Sequence, residues 1–514
     1  MNFEVVHGSL TQRNLEQCAI AQIKVPVRVE LTTNAKKILN VTAACFIGGA
    51  ERTESGVNVT GKVTTRVIFI DESDGFNSQD HENTWVERLT LKDAAAIISL
   101  APSAHILESQ AASHINNDGG LITEVQTSHV INVAVLGLTG KEVRYVSALR
   151  GGVETKCQKR TVANMRSIIH EKFEISETFA LGADVEGILG VELNTCVRDI
   201  NVTDGRVTIK GMAYANVTAA KSMDGSSHIS NTFFDWDFTK SLNINDITMN
   251  DIISGHTTVA NLSIKVENRG HPELVISAEI LFTGHATTAH EIETVEDAFA
   301  YEHNLDFAHC DISDTQATTQ VNIFADIEGN MTMPDGSAFI SKILAVNGMQ
   351  VSGINAVATD GKVTVEGVLT TPMTFECEEK QIHPHIAQVP FSTVCKIDGI
   401  TKHHNISVAV TPLNCNIKAR RGKELLVDAR IAVNACAHTM ETHKVTSGAA
   451  LGSARPRDDS AIIIHIAGKG ESLWQVAKRI SMSTAEIIKQ NPSTEQGITA
   501  GERIVLYRQE AVNF

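Results

Sequence analysis

The chain has 514 residues, enough for roughly three or four domains. Its 44 basic residues against 60 acidic ones leave a formal charge of −16. That argues against nucleic acid or an anionic membrane as the main partner, since both reward a positive face.

Aromatic residues are scarce while Thr, Val, Ile, Asn and Ala are abundant, the bias of β-structure. Met1-Asn2-Phe3-Glu4 opens no basic and apolar signal segment, and no later stretch reaches the length of a membrane span, so a cytoplasmic protein without membrane insertion is expected. The nine cysteines are scattered singly with no Cys-x-x-Cys pair, and an odd count argues against a closed disulfide framework. Cys415 and Cys436 fall in alternating strands, where a reduced cysteine acts as a small hydrophobe.

Along the chain one pattern recurs with a period near 150 residues. The first copy has Ile38-Leu39-Asn40-Val41 and then Val57-Asn58-Val59-Thr60-Gly61. The second has Ile188-Leu189-Gly190-Val191 and then Asp204-Gly205-Arg206-Val207-Thr208-Ile209-Lys210-Gly211. The third has Ile343-Leu344-Ala345-Val346 and then Asp360-Gly361-Lys362-Val363-Thr364-Val365-Glu366-Gly367. From the isoleucine to the final glycine the separations are 23, 23 and 24 residues.

The Asp-Gly pairs supply the positive-φ residue of a tight hairpin, and the alternation after them puts one face inward. Strictly alternating strands lead the first and third copies, at Ile23 to Leu31 and at Val321 to Ile327. Later strand pairs close the second and third: Leu262 to Val266 and Leu274 to Leu281 around Arg269-Gly270, and Ile406 to Val410 and Leu425 to Val433 around Arg421-Gly422. Lys418-Ala419-Arg420-Arg421 reads as a solvated hairpin turn. Between the halves lie Trp85 to Leu89, Trp236-Asp237-Phe238 and Val389-Pro390-Phe391. Three antiparallel β-sandwich or meander units follow from this order.

The Ile-Leu lead, the Val-x-Val-x-Gly hairpin and the Pro-Phe segment together resemble the SPOCS domain of spore-coat proteins, a domain of unknown function. The second copy carries Asp184-Val185-Glu186-Gly187-Ile188-Leu189, the third Gln388-Val389-Pro390-Phe391-Ser392, and the first Lys36-Lys37-Ile38-Leu39.

Catalytic constellations are not evident: there is no phosphate-cradling Gly-x-x-x-x-Gly-Lys run and no Gly-x-Ser-x-Gly elbow. No catalytic residue, metal ligand or cofactor is assigned. His285 with His290 and His438 with His443 are five apart, which on a strand points them to opposite faces. These, with His383, His385, His403 and His404, are expected to be exposed or at strand edges. Asp311 and Asp314 are expected in a solvated loop.

Residues 445–460, rich in Ser, Gly, Ala and Pro and without periodicity, read as a flexible linker. Beyond them the β-branched run Ile462-Ile463-Ile464 with Ile466 reads as a buried strand. Ser472 with Gln475, and Ser483 with Glu486, are capping-box patterns that open two helices. Leu473, Val476, Ala477 and Ile480 give the first helix one apolar face, and Asn491-Pro492 stops the second. Ile504 to Tyr507 form a closing strand, and Trp474 is expected to supply much of so small a core.

The run Gly470 to Ala477, then Glu486 to Pro492, then Ala500 to Ile504 resembles a LysM domain, a βααβ module that in many proteins grips N-acetylglucosamine polymers. The resemblance departs at Ala467-Gly468 and at His465. It places the ligand or partner groove at Gly470, Glu471, Ser472 and Leu473 on one side, with Asn491, Pro492 and Ile498 on the other.

Three SPOCS-like units before a LysM domain are similar to the SipL-type spore-coat morphogenetic proteins of clostridia. The resulting expectation is a mainly β chain: three tandem antiparallel β-sandwich-like domains at 1–153, 154–300 and 301–444, a linker at 445–460 and a LysM domain at 461–514. The resemblance implies a non-enzymatic scaffold or adaptor for endospore coat assembly, made in the mother cell and recruited to the forespore surface. Its LysM module would dock the coat-basement ATPase or other coat proteins, with self-association possible through the β-units. The alternative is a cell-wall protein whose LysM groove binds peptidoglycan glycan.

Overall fold

The computed structural model describes residues 3–507 apart from 93, 111, 117–118, 224–225, 269–270, 421–422 and 457–459. The turns expected at Arg269-Gly270 and Arg421-Gly422, part of the expected linker and the last seven residues lie outside the described set.

The strands fall into three successive sets of six, six and seven. The first set is β1 (Phe3–Arg52), β2 (Gly56–Asp71), β3 (Phe76–Thr90), β4 (Ile97–Ser109), β5 (Ser113–Asn116) and β6 (Ile122–Gly151). The second is β7 (Val153–Ala180), β8 (Val185–Thr203), β9 (Arg206–Met223), β10 (Ser226–Asn243), β11 (Ile252–Asn268) and β12 (Pro272–Ala300). The third is β13 (His303–Thr332), β14 (Ile340–Val346), β15 (Gln350–Thr359), β16 (Lys362–Cys377), β17 (Ile382–Lys396), β18 (Asn405–Ala419) and β19 (Glu424–Ala454).

Within each repeat the antiparallel strands make two layers. In the second repeat the orders are β10-β9-β8 and β11-β12-β7; in the third, β17 and β14/β15 flank β16, while β13-β19-β18 forms the other layer. In the first repeat β1 runs through both layers. Each sandwich encloses its own apolar core, around Val29, Val63 and Val133, around Ile209, Ile276 and Phe282, and around Val365, Phe375 and Ile431. The two expected Asp-Gly hairpins are present, with Gly205 at φ 72 and Gly361 at φ 77.

The recurring motif acquires a mechanical reason. Gly61 pairs with Trp85, Gly211 with Phe238 and Gly367 with Phe391, each glycine directly across from a buried aromatic ring. A side chain on any of these glycines would run into that ring. Each aromatic packs against the bare backbone opposite it, which covers a position that would otherwise leave the core unfilled.

The Ile-Leu pair has a different use. In all three repeats the register slips at the leucine, between Ile38 and Asn40, Ile188 and Gly190, and Ile343 and Ala345. A bulge of this kind re-aims one side chain out of the pleat. Leu39, Leu189 and Leu344, at 1, 5 and 7 % exposure, leave their own sandwiches and meet in one cluster with Ile68, Ala220, Ile229 and Ala345. Beside them Asn40 Nδ2 donates to Asn347 Oδ1 (2.6 Å), Asn347 Nδ2 to Thr218 Oγ1 (3.2 Å) and Asn216 Nδ2 to the Val346 carbonyl (2.8 Å). The three repeats are therefore closed against one another.

A second three-way seam lies where the first and last strands of each repeat extend as two-stranded ribbons. Leu10, Val162 and Ile312 meet Val143, Ile292 and Val445 there, one first-strand and one last-strand residue from each repeat. Arg13 N donates to Asn164 Oδ1 (2.9 Å), and one repeat later Ala163 N donates to Asp314 Oδ1 (2.7 Å). Asp314 is thus fully buried in a strand and fastens one repeat to the next, contrary to the solvated loop expected for it. The nine cysteines are all free thiols.

The expected linker also needs correction. Residues 445–454 continue β19, paired with β13 as far as Ala454 opposite His303. Their small residues suit a closely packed ribbon as well as a flexible chain, and composition alone favoured the wrong one. The connection that remains begins at Arg455, whose N–H donates to the Glu302 carbonyl at 2.8 Å.

Candidate functional site

The terminal elements run β20 (Ile462–Ile466), α1 (Leu473–Ile480), α2 (Thr484–Gln490) and β21 (Arg503–Tyr507), with β20 and β21 antiparallel. Ser472 caps α1 in a complete capping box: Gln475 N donates to Ser472 Oγ (3.3 Å) and Ser472 N to Gln475 Oε1 (2.8 Å). At α2 only half of the expected box forms. Glu486 N donates to Ser483 Oγ, but the Glu486 carboxylate accepts from Gln490 instead.

The core of this module is Val476, Ala477, Ile487, Ile504 and Leu506, all fully buried. Of the isoleucine run only Ile463 packs inward; Ile462, Ile464 and Ile466 keep 55, 52 and 67 % of their surface. The buried strand expected from that run is thus one-sided, because two short strands leave one sheet face uncovered. Trp474 is only half-buried within the module.

Its ring instead meets Phe299 of β12, centroids 5.2 Å apart, and Phe299 joins the module's own core cluster. Asp297 holds the same corner: one carboxylate oxygen accepts from Trp474 Nε1 (2.8 Å) and the other from Lys478 Nζ (2.6 Å). Burial pushes the Asp297 carboxyl up, but Lys478 and Trp474 outweigh it and hold it below the ordinary carboxylate range. Arg455 adds a second anchor, bonding Asn304 Oδ1, the Lys478 carbonyl and Ser481 Oγ at 3.0, 3.0 and 2.8 Å. The module is seated on the end of the second ribbon rather than swinging free.

Between module and ribbon ends lies a cleft of about 1550 Å³. One wall carries Gly470, Glu471, Lys478 and Arg479, the other Glu302, His303 and Arg455. Of the groove residues expected from sequence, Gly470 and Glu471 line this cleft, whereas Asn491, Pro492 and Ile498 do not. Leu473 and Ile498 pack on the module core from their two loops. Gly470, Ser472 and Pro492 are exposed.

Glu471 and Asn491 have local structural duties. Glu471 Oε2 accepts from Gly468 N and pairs with His465 Nε2, both at 2.9 Å, while Oε1 lies 2.8 Å from Arg479. The Gly468 N–H, then His465 and Arg479, hold its carboxyl below the usual range. Asn491 Nδ2 donates to the Val505 carbonyl (2.8 Å) and its Oδ1 accepts from Val505 N (3.0 Å), tying the end of α2 to β21. Asp297, Phe299 and Arg455 were missed by sequence reasoning, since nothing in their neighbourhoods marks a docking residue.

Of the two histidine pairs five residues apart, His290 is exposed as expected, and the other three resolve differently. His285 and His438 face a crevice inside the body, while His443 Nε2 sits 3.4 Å from buried Asp314. Asp314, Glu441 and His443 bring ligand atoms within 4.8 Å of one another, the one such trio among the described residues. Glu441 is 58 % exposed, and Asp314 is engaged by the seam. No helix among the described residues is long and apolar enough to cross a membrane.

Comparison with known proteins finds the family described as SipL, SPOCS domain, matching residues 340–420. The matched stretch runs from the first residue of β14 past the end of β18, and so contains the Leu344 bulge and the Gly367–Phe391 pair. The match supports a SipL-type, sporulation-related protein. No curated protein and no solved structure matches the chain.

Proposed function

We propose that this chain is a non-enzymatic scaffold of endospore coat assembly, working in the mother cell at the forespore surface. In this reading all three repeats are SPOCS-like units, and the terminal βααβ module is a LysM domain that docks a coat-basement partner such as its ATPase. The family match over residues 340–420 carries the reading. The seated module supports it: Asp297, Phe299 and Arg455 fix the module's orientation, and a partner bound to a fixed module is positioned relative to the whole body.

The test is a pull-down of the full chain with the purified basement ATPase and, separately, with insoluble peptidoglycan. Retention by the ATPase, weakened about tenfold or more by Lys469→Glu on the cleft wall, is the expected outcome. Retention on peptidoglycan that the ATPase does not displace would favour the glycan-binding alternative instead.

A further inference from the structure

Where the three repeats meet there is an internal crevice of about 260 Å³. Leu15 and Leu136 come from the first repeat, Met165 and Ile168 from the second, and Met440 from the third, so the wall is largely apolar. Into it project three imidazoles: His256 from β11, His285 from β12 and His438 from β19. The strand registers explain the convergence. Ser254 lies opposite His285 and His256 opposite Thr283, which places both rings on the face of that sheet turned away from its own core.

None of the three rings makes a hydrogen bond to another described residue. Three polar neighbours are otherwise occupied: Thr283 Oγ1 meets His170 Nδ1 at 3.2 Å, Asn434 Nδ2 bonds the Gly255 carbonyl at 3.0 Å, and the Cys436 thiol points to Ser254 Oγ at 3.5 Å. The ring nitrogens open onto the crevice, so each keeps its hydrogen-bonding capacity for a molecule that enters it.

The chemistry of the wall limits that guest. Among the described residues, no Asp, Glu, Lys or Arg lines the crevice. Burial pushes all three histidines down, His285 to about 4 with His438 and His256 adding to the effect, and His404 acting on His438. The rings are therefore neutral near pH 7, and each offers one donor and one acceptor. An ion would lie uncompensated among leucine and methionine side chains, at high cost.

We infer that this crevice is a binding site for one small uncharged molecule that carries a hydroxyl or similar hydrogen-bonding group on an apolar body. The hydroxyl gives its proton to one imidazole nitrogen and accepts from another, while the body packs on Leu15, Leu136 and Met440. The site belongs to the closed body alone, since each repeat contributes part of the wall.

Phenol and toluene are the probes, because they share an apolar body and differ in the hydroxyl. The full chain is titrated with each at pH 7.5, by calorimetry and by thermal shift. Saturable binding at one site per chain is expected, with phenol about tenfold tighter than toluene, the scale of one satisfied hydrogen bond. His285→Phe keeps a ring of similar bulk but no nitrogen, and is expected to bring phenol down to the toluene level. His438→Phe repeats the test should that variant fail to fold. Absence of saturable binding, as for a crevice holding only water, overturns the proposal. So does equal affinity for the two probes in the native chain, or a phenol preference that survives a folded ring substitution.

Discussion

The body and the terminal module are held together by opposite strategies. In the body, three copies of one motif generate the two three-way seams: the bulged leucines meet one another, and the ribbon strands exchange like for like. The module sits on a place that exists once. Asp297 and Phe299 of the second repeat have Ala148 and Arg150 at the matching positions of the first, 149 residues earlier, and neither supplies a carboxylate or an aromatic ring. Repetition builds the closed core, and departure from repetition decides which ribbon end is used.

If the body is one cooperative unit, its leucine seam should be sensitive at every copy. Leu189→Ala is expected to destabilise the whole body by about 2–5 kcal/mol, as emptying a buried leucine site does. Denaturant unfolding followed by two probes, the Trp236 environment and overall circular dichroism, should shift together. A transition confined to the second repeat would mean that the sandwiches unfold independently.

The module contact should be weaker and local. Asp297→Ala removes the acceptor for Trp474 and Lys478 and is expected to weaken docking by about 1.5–3 kcal/mol, the range for hydrogen bonds to a charged group. Hydrogen exchange should rise at the Arg455 connection and over α1 while the body keeps its protection. Unchanged exchange there would show that Phe299 and Arg455 suffice.

The gentlest probe of the seam is acid. His170, His256, His285 and His438 all have folded pKa values depressed mainly by burial. The unfolded chain therefore takes up protons first, near pH 6.5. Stability is full above that pH and falls as pH drops toward about 4, where His285 itself titrates. Each histidine contributes at most about 1.4 kcal/mol per pH unit within this window. His285→Gln should flatten the slope of denaturation midpoint against pH between 6.5 and 4.5, and an unchanged slope would remove this ring from the account.

Much of this architecture was legible from sequence because it rests on local rules. Alternation marked the strands, Asp-Gly marked two hairpins, and the capping pattern at Ser472 marked the start of α1. The repeat spacing also pointed to the residues that matter most, Leu39, Leu189 and Leu344. Their destination was hidden, since a leucine beside a bulge looks like any strand residue until a neighbour covers it. The same limit applies to the histidines: a five-residue offset correctly separated His285 from His290, but it could not show that His285 would face His438 from another repeat. At the candidate groove, sequence found the loops but not their duties. Glu471 and Asn491 are short-range braces, and Asp297 lies 177 positions before Trp474 and 181 before Lys478, a separation no local pattern spans.

Closure into a ring has a practical consequence for dissecting this protein. A fragment lacking any single repeat would expose both three-way seams, leaving bulged leucines and ribbon faces uncovered and the Asn164 and Asp314 tethers without their targets. Such a piece would aggregate or unfold whichever repeat was cut. Mapping a partner by deletion would then report loss of folding three times over, and single substitutions on the outer surface are the informative route.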